Sequence, residues 1–201
     1  MRAVDPDLDL LARVRSGDEA AFVTLVNCYH GSMLRVARAY VPSDAIAEEA
    51  VQDTWMGVVR GVDQFEGRSS FKTWLFRILV NRARTAGGRE HRNLPLADVE
   101  PAVDATRFTS GGAWAEPLER WETDADDRLV AATWSEALRT ALDELPPRQR
   151  EIVILRDVEG LSSEDVCTVL GVTEGNQRVL LHRGRSRLRS LLENELTVRG
   201  R

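Results

Sequence analysis

The chain has 201 residues, 43% of them hydrophobic, and 27 Lys and Arg against 32 Asp and Glu give a net charge of −5. That length and apolar content suffice for one large or two small domains with real cores. No apolar run approaches the ~20 residues that span a bilayer, and the acidic start MRAVDPDLDLL lacks the apolar stretch of a signal peptide, so no membrane insertion and a cytoplasmic location are expected.

The first ~90 residues read as helical throughout. Leu8, Leu11 and Val14 predict a helix over 7–14, which Ser16-Gly17-Asp18 ends. Phe22, Leu25 and Val26 predict one over 21–29, and a third spans 33–40, ending before Pro42. A fourth begins near Ser43 with Ser43 or Asp44 as its cap and runs to about Gly61. Residues 62–69 form a loop containing Gly67, and a fifth helix covers 70–86, stopping at Gly87-Gly88. Residues 93–128 hold Pro95, Pro101, Pro117 and Gly111-Gly112 without sustained periodicity, so they read as a linker. Its aromatics Phe108, Trp114 and Trp121 are unusual for a solvated tether and suggest that it docks. Helical periodicity returns over 127–142 and again over 148–157, after Leu145-Pro146-Pro147. A short helix capped by Ser162 or Ser163 ends at Gly171, and a last helix runs over about 174–193. No strand signal and no internal repeat is found.

Cys28 and Cys167 each stand alone in an apolar-periodic segment, outside any CxxC or Cys/His cluster. Both are expected as buried thiols, with no metal site and no cofactor.

Charge is unevenly distributed. Residues 1–59 are net −4, 60–92 net +5, 93–128 net −6, 129–174 net −5 and 175–201 net +5. Phosphate contact needs only a local basic face, whereas the acidic remainder repels free DNA. A partner that holds the protein on DNA resolves the conflict.

Leu161-Ser162-x-x-Asp165-Val166-x-x-x-Leu170-Gly171-Val172-Thr173 gives a short capped helix, a glycine turn and a second helix, the helix-turn-helix arrangement. On the last helix Leu181, Gly184, Leu188 and Leu192 share one face, and Gly184 would let it approach its support closely. Arg178, His182, Arg185 and Arg189 lie along one flank, with Arg183 and Arg187 on another, so the helix can reach phosphates on both sides of a major groove. A solvated basic helix with a leucine stripe has the same periodicity; the capped helix and turn before it favour DNA recognition.

Upstream, Phe65-x-Gly67-x-Ser69-Ser70-Phe71-x-x-Trp74-Leu75-Phe76-Arg77 leads to Asn81, Arg82, Arg84 and Arg89. Interleaved aromatics and arginines suit single-stranded bases, which need flat faces to stack on and cations for the backbone. Phe71, Trp74, Leu75 and Ile78 equally form a helical core stripe. In the preceding helix Ala47, Ala50, Val51 and Val58 can face inward, leaving Glu49, Gln52 and Asp53 on an acidic exterior, which in isolation is a solvated face.

Taken together and in this order, the segments resemble a sigma factor of the extracytoplasmic-function group of the sigma-70 family. Residues 47–55, AEEAVQDTW, resemble the segment that docks on the β′ clamp of RNA polymerase. VDQF (62–65) and FKTWLFRI (71–78) resemble the promoter-melting and −10-reading region. LPPRQRE (145–151) and LSSEDV (161–166), with the helix after Glu174-Gly175, resemble the −35-reading domain. The resemblance covers nearly everything except 93–128 and leaves no room for a separate middle domain.

It implies an all-α fold of two small helical domains, a region 2 bundle over 1–92 and a region 4 helix-turn-helix over 127–201, joined by an extended acidic linker over 93–126. It implies polymerase contact through Glu49, Gln52 and Asp53, and −10 contact through Phe65, Ser69, Phe71, Lys72, Trp74, Arg77, Asn81 and Arg84. The −35 element would be met by Asn176, Arg178, Val179, His182, Arg183 and Arg185. Implied partners are RNA polymerase core, through the β′ clamp and β flap, promoter DNA in duplex and single-stranded form, and an anti-sigma protein, which many members have.

The family commonly carries a small or β-branched residue, then Val, a cation, Ser and Arg after the Glu-Gly turn. Here the run is Asn176-Gln177-Arg178-Val179-Leu180, with Val179 at the usual Ser position and Leu180 at the usual Arg position. A single helix-turn-helix regulator with an unrelated N-terminal domain is the alternative, separated by whether polymerase core binds stoichiometrically. A nucleic-acid enzyme is disfavoured, with no paired metal-binding carboxylates, no phosphate-cradling glycine loop and no catalytic residue to name.

Overall fold

The computed structural model describes residues 6–88 and 136–199. The expected linker, and the residues of the 127–142 helix before 136, lie outside them. The described residues form helices α1 (Leu8–Arg15), α2 (Glu19–Arg38), α3 (Asp44–Gly61) and α4 (Phe71–Ala86). Then come α5 (136–143), α6 (Pro147–Val153), α7 (Ser163–Leu170) and α8 (Glu174–Arg199). The all-α expectation holds: no strand occurs among the described residues.

The chain forms two compact units. One joins Met1–Pro95 with Ile154–Glu174, and the other joins Leu96–Val153 with Gly175–Arg201. The division passes through the helix-turn-helix, with α7 in the first unit and α8 from Gly175 onward in the second.

In the first unit α1 to α4 enclose a core of Leu11, Leu25, Met33, Tyr40, Val51, Phe71, Leu75, Phe76 and Leu79. Short polar side chains set the helix starts by accepting otherwise unpaired first-turn amides. Asp18 caps α2 through Ala21 N, Ser43 caps α3 through Ile46 N, and Ser70 caps α4 through Thr73 N. Two expected helices, 21–29 and 33–40, prove to be one. Gly31 sits inside α2, at a cost of about 1 kcal/mol relative to Ala. Burial of Met33, Val36 and Ala37 on its far side carries the helix through. The same helix corrects the expectation for Cys28, which is exposed. The inward stripe runs through Ala21, Leu25 and Met33, and Cys28 falls off it.

In the second unit Gly184 of α8 is buried against α6. A Cβ at this position would meet Val153 Cγ2 at 2.8 Å and the Gln149 carbonyl at 3.2 Å, so the close approach expected of this glycine is present. The expected 148–157 helix departs from plan. It is α-helical only over Pro147–Val153 and widens into a π turn over Ile154–Val158, where Glu159 N donates to Ile154 O at 2.8 Å.

Candidate nucleic-acid interface

Helix α3 sorts its residues as the sequence suggests. Ala47, Ala50, Val51, Thr54, Trp55 and Val58 are buried, while Glu49, Gln52 and Asp53 are exposed. Asp53 pairs with Arg82 of α4 at 3.5 Å. The two helices border an open cleft of about 660 Å³ lined by Ile46, Glu49, Asp53, Asn81 and Arg82.

The aromatic segment is built differently from expectation. Phe71 is fully buried, with its ring 5.7 Å from Tyr29 and 6.0 Å from Trp74. It therefore supports the site from below and has no surface to offer a base, which corrects its expected role as a DNA contact. Phe65 is 7% exposed and packs 5.1 Å from Trp74. Trp74 and Ser69 are half-buried, and Arg77 and Asn81 are exposed on α4. Lys72 lies 5.8 Å over the Phe76 ring, and Arg84 lies 5.6 Å over Tyr40. The loop before α4 is tied down by a residue the sequence reading passed over. Arg15 of α1 donates to the carbonyls of Val62, at 3.0 Å, and Phe65. Nothing local marks Arg15 for this role, because its partners lie about fifty residues away.

In the helix-turn-helix, Ser162 Oγ caps α7 by accepting from Asp165 N at 3.1 Å. Gly171 closes the helix at φ 68°, the left-handed geometry that glycine adopts without strain. On α7 itself, Cys167 is half-buried rather than buried as expected; this partial burial, and secondarily the nearby Glu174 carboxylate, hold its thiol above the usual range. At the start of α8, Asn176 is half-buried while Arg178 and Val179 are exposed. Gln177, Leu180 and Leu181 are buried. His182, Arg183 and Arg185 are half-buried. The surface of this helix is thus Asn176, Arg178 and Val179 at its start, followed by cations.

Comparison with known proteins fits this arrangement. The family models for sigma-70 region 2 and sigma-70 region 4 match residues 25–92 and 135–188. The ECF RNA polymerase sigma-E factor of Escherichia coli K12 is 31% identical over 179 residues, covering 89% of this chain and 90% of that protein. The ECF sigma factor SigM of Mycobacterium tuberculosis is 32% identical over 188 residues, covering 92% and 84%. Among solved structures, the Bartonella quintana sigma factor RpoE, crystallised with the anti-sigma factor NepR, is 25% identical. It superposes with a TM-score of 0.58, covering 86% of this chain and 96% of its own. The fold is also that of CnrH in its complex with the cytosolic domain of CnrY, with a TM-score of 0.61 at 24% identity and 94% and 99% coverage.

The all-α pairing of region 2 and region 4 defines a sigma-70-type initiation factor. The chain belongs to the extracytoplasmic-function sigma factors of that family. It acts with RNA polymerase and promoter DNA in promoter-specific initiation, so an unrelated helix-turn-helix regulator is not favoured. No helix among the described residues is long and apolar enough to cross a membrane.

Proposed function

We propose that Glu49, Gln52 and Asp53 dock on the β′ clamp of polymerase core while α4 and the loop before it open the −10 element. What supports this most directly is α3, whose acidic side chains lie together on the exposed side of a helix that is otherwise core. The loop 61–69 receives a base flipped from the −10 strand, against Trp74 and the edge of Phe65. Flipping costs a few kcal/mol of lost stacking, which a preformed pocket offsets. Ser69, Lys72, Arg77, Asn81 and Arg84 hold the adjoining backbone. The modules are 1–92 for clamp docking and the −10 element and 127–201 for the −35 element and the β flap, with 93–126 threading through polymerase between them. Helix α8 enters the −35 major groove, reading bases with Asn176 and Arg178 beside Val179, and holding phosphate with His182, Arg183 and Arg185.

The action is binding and DNA remodelling, without bond chemistry, and it takes place in the cytoplasm. An anti-sigma protein holds the factor inactive, as the partner of the Bartonella relative suggests. The test is transcription in vitro with purified core and a promoter library. A stoichiometric complex that initiates from a defined −35 and −10 pair is expected; failure to bind core would overturn the proposal.

A further inference from the structure

The loop before α4 is fastened at two points to α1, a helix that has no part in the interface proposed above. Val62–Gln64 make one turn of 3₁₀ helix, closed by the Phe65 amide donating to Val62 O at 3.2 Å. The carbonyls of Val62 and Phe65 stand at the start of this turn and just past its end. Both accept from the guanidinium of Arg15, in the last turn of α1, with Nε on Val62 O at 3.0 Å and an Nη on Phe65 O. A planar fork that engages two acceptors sets their separation and direction, and its charge strengthens both bonds. The segment so held frames Trp74. Phe65 packs 5.1 Å from the Trp74 ring, and a Cβ on Gly61 would sit 3.5 Å from Trp74 Cζ2. The turn is thus flanked on both sides by residues that border the half-buried indole.

The bundle does not depend on this arginine. Arg15 is exposed, whereas α1 is anchored by Leu11, which is 1% exposed. The Arg13–Asp18 pair at 2.8 Å and the hydrogen bond from Tyr29 to the Asp7 carboxylate hold its two ends to α2. The effect of Arg15 is therefore local to the loop. A base leaves the stack at a cost, and a receiving loop that had to order itself at the same moment would add its own conformational entropy to that cost. We propose that Arg15 is a positioning residue for promoter opening, which holds residues 62–65 in the base-receiving conformation before DNA arrives and itself touches no base. The inference rests on the assignment of loop 61–69 to base capture made above.

The experiment uses the full chain assembled with polymerase core. The probe is the single-stranded non-template −10 segment of the promoter that the holoenzyme selects, made intact and with an abasic site at each position in turn. At the captured position the parent should bind the abasic probe about tenfold more weakly than the intact one, on the scale of one stacked base. Arg15→Ala should lose most of that about tenfold on the intact probe and bind the abasic probe as the parent does, so that the difference closes. Arg15→Lys keeps the charge without the fixed fork and should behave like Arg15→Ala. In the free chain, amide exchange of residues 62–66 should quicken in both variants while that of α3 and α4 stays as in the parent. Variants that keep the parental difference between probes overturn the proposal. So does parental binding in Arg15→Lys, which would make the charge, and hence contact with phosphate, the contribution of Arg15. A loss of equal size on both probes, or exchange that quickens throughout the bundle, would reduce the role to stability and overturn it as well. A parent for which no abasic position matters would instead overturn base capture by the loop, and the inference with it.

Discussion

Gly184 lies against Val153 so closely that a methyl group in place of its hydrogen would sit 2.8 Å from Val153 Cγ2, with the Gln149 backbone carbonyl at 3.2 Å behind it. The side chain could rotate away; the carbonyl belongs to α6 and could move only with the helix. Gly184→Ala is therefore expected to destabilise the second unit by about 1–3 kcal/mol through overpacking, outweighing the helix propensity alanine gains. Chemical denaturation of the purified chain measures it, and a variant as stable as the parent would mean that α6 yields.

Charge reversal on α3 should separate function from stability. Glu49 and Asp53 are exposed, and the ion pair of Asp53 with Arg82, at 3.5 Å, joins two side chains that are 59% and 44% exposed. Such pairs contribute about 0–1 kcal/mol. Glu49→Lys and Asp53→Lys should leave the melting temperature nearly unchanged and reduce binding to polymerase core. Unaltered core affinity in both variants would place the docking face elsewhere.

These features were unequally legible in the sequence. Ser43, Ser70 and Ser162 each stand where a helix begins, and a cap is a local signal. The fate of α2 was not local. Gly31 looks like a break, and only the burial of Met33 and Val36 decides otherwise. Phe71 shows a different limit, since an aromatic beside arginines fits both a stacking platform and a core stripe. Its 5.7 Å contact with Tyr29, more than forty residues away, settles the matter. The ties from Lys72 to Glu159 and from Thr73 to Asp165 span 87 and 92 residues, and no periodicity within either segment announces them.

The two cysteines should react at different rates. Cys28 is exposed on α2 and Cys167 is partly covered on α7. Burial, and then the Glu174 carboxylate, push the Cys167 thiol up, leaving less thiolate at any given pH. With iodoacetamide near neutral pH, mass spectrometry of peptides should find Cys28 modified first. Glu174→Gln should speed Cys167 modestly, because the charge is the smaller of its two causes. Equal rates for both thiols in the parent protein would contradict the burial of Cys167.

The start of α8 yields the sharpest expectation about promoter choice. Gln177 is 3% exposed, so its amide is committed to the protein interior, and Leu180, where relatives commonly carry arginine, is buried as well. That leaves Asn176, Arg178 and Val179 as the outward residues of the first turns, the part of a recognition helix that meets base edges. An asparagine amide pairs bidentately with adenine, and each good pair of this kind discriminates by about 1–3 kcal/mol. Asn176→Ala should therefore relax preference at one or two −35 positions, lowering affinity for the best site by about that amount. Arg183 lies nearly two turns further along. As a phosphate contact it should behave differently, since its replacement by alanine weakens all sites about equally and reduces the salt dependence by about one unit of slope. Promoter selection with each holoenzyme at two salt concentrations distinguishes them. An unchanged −35 preference in Asn176→Ala, together with an altered one in Arg183→Ala, would mean that the later turns of α8, and not its start, lie against the bases.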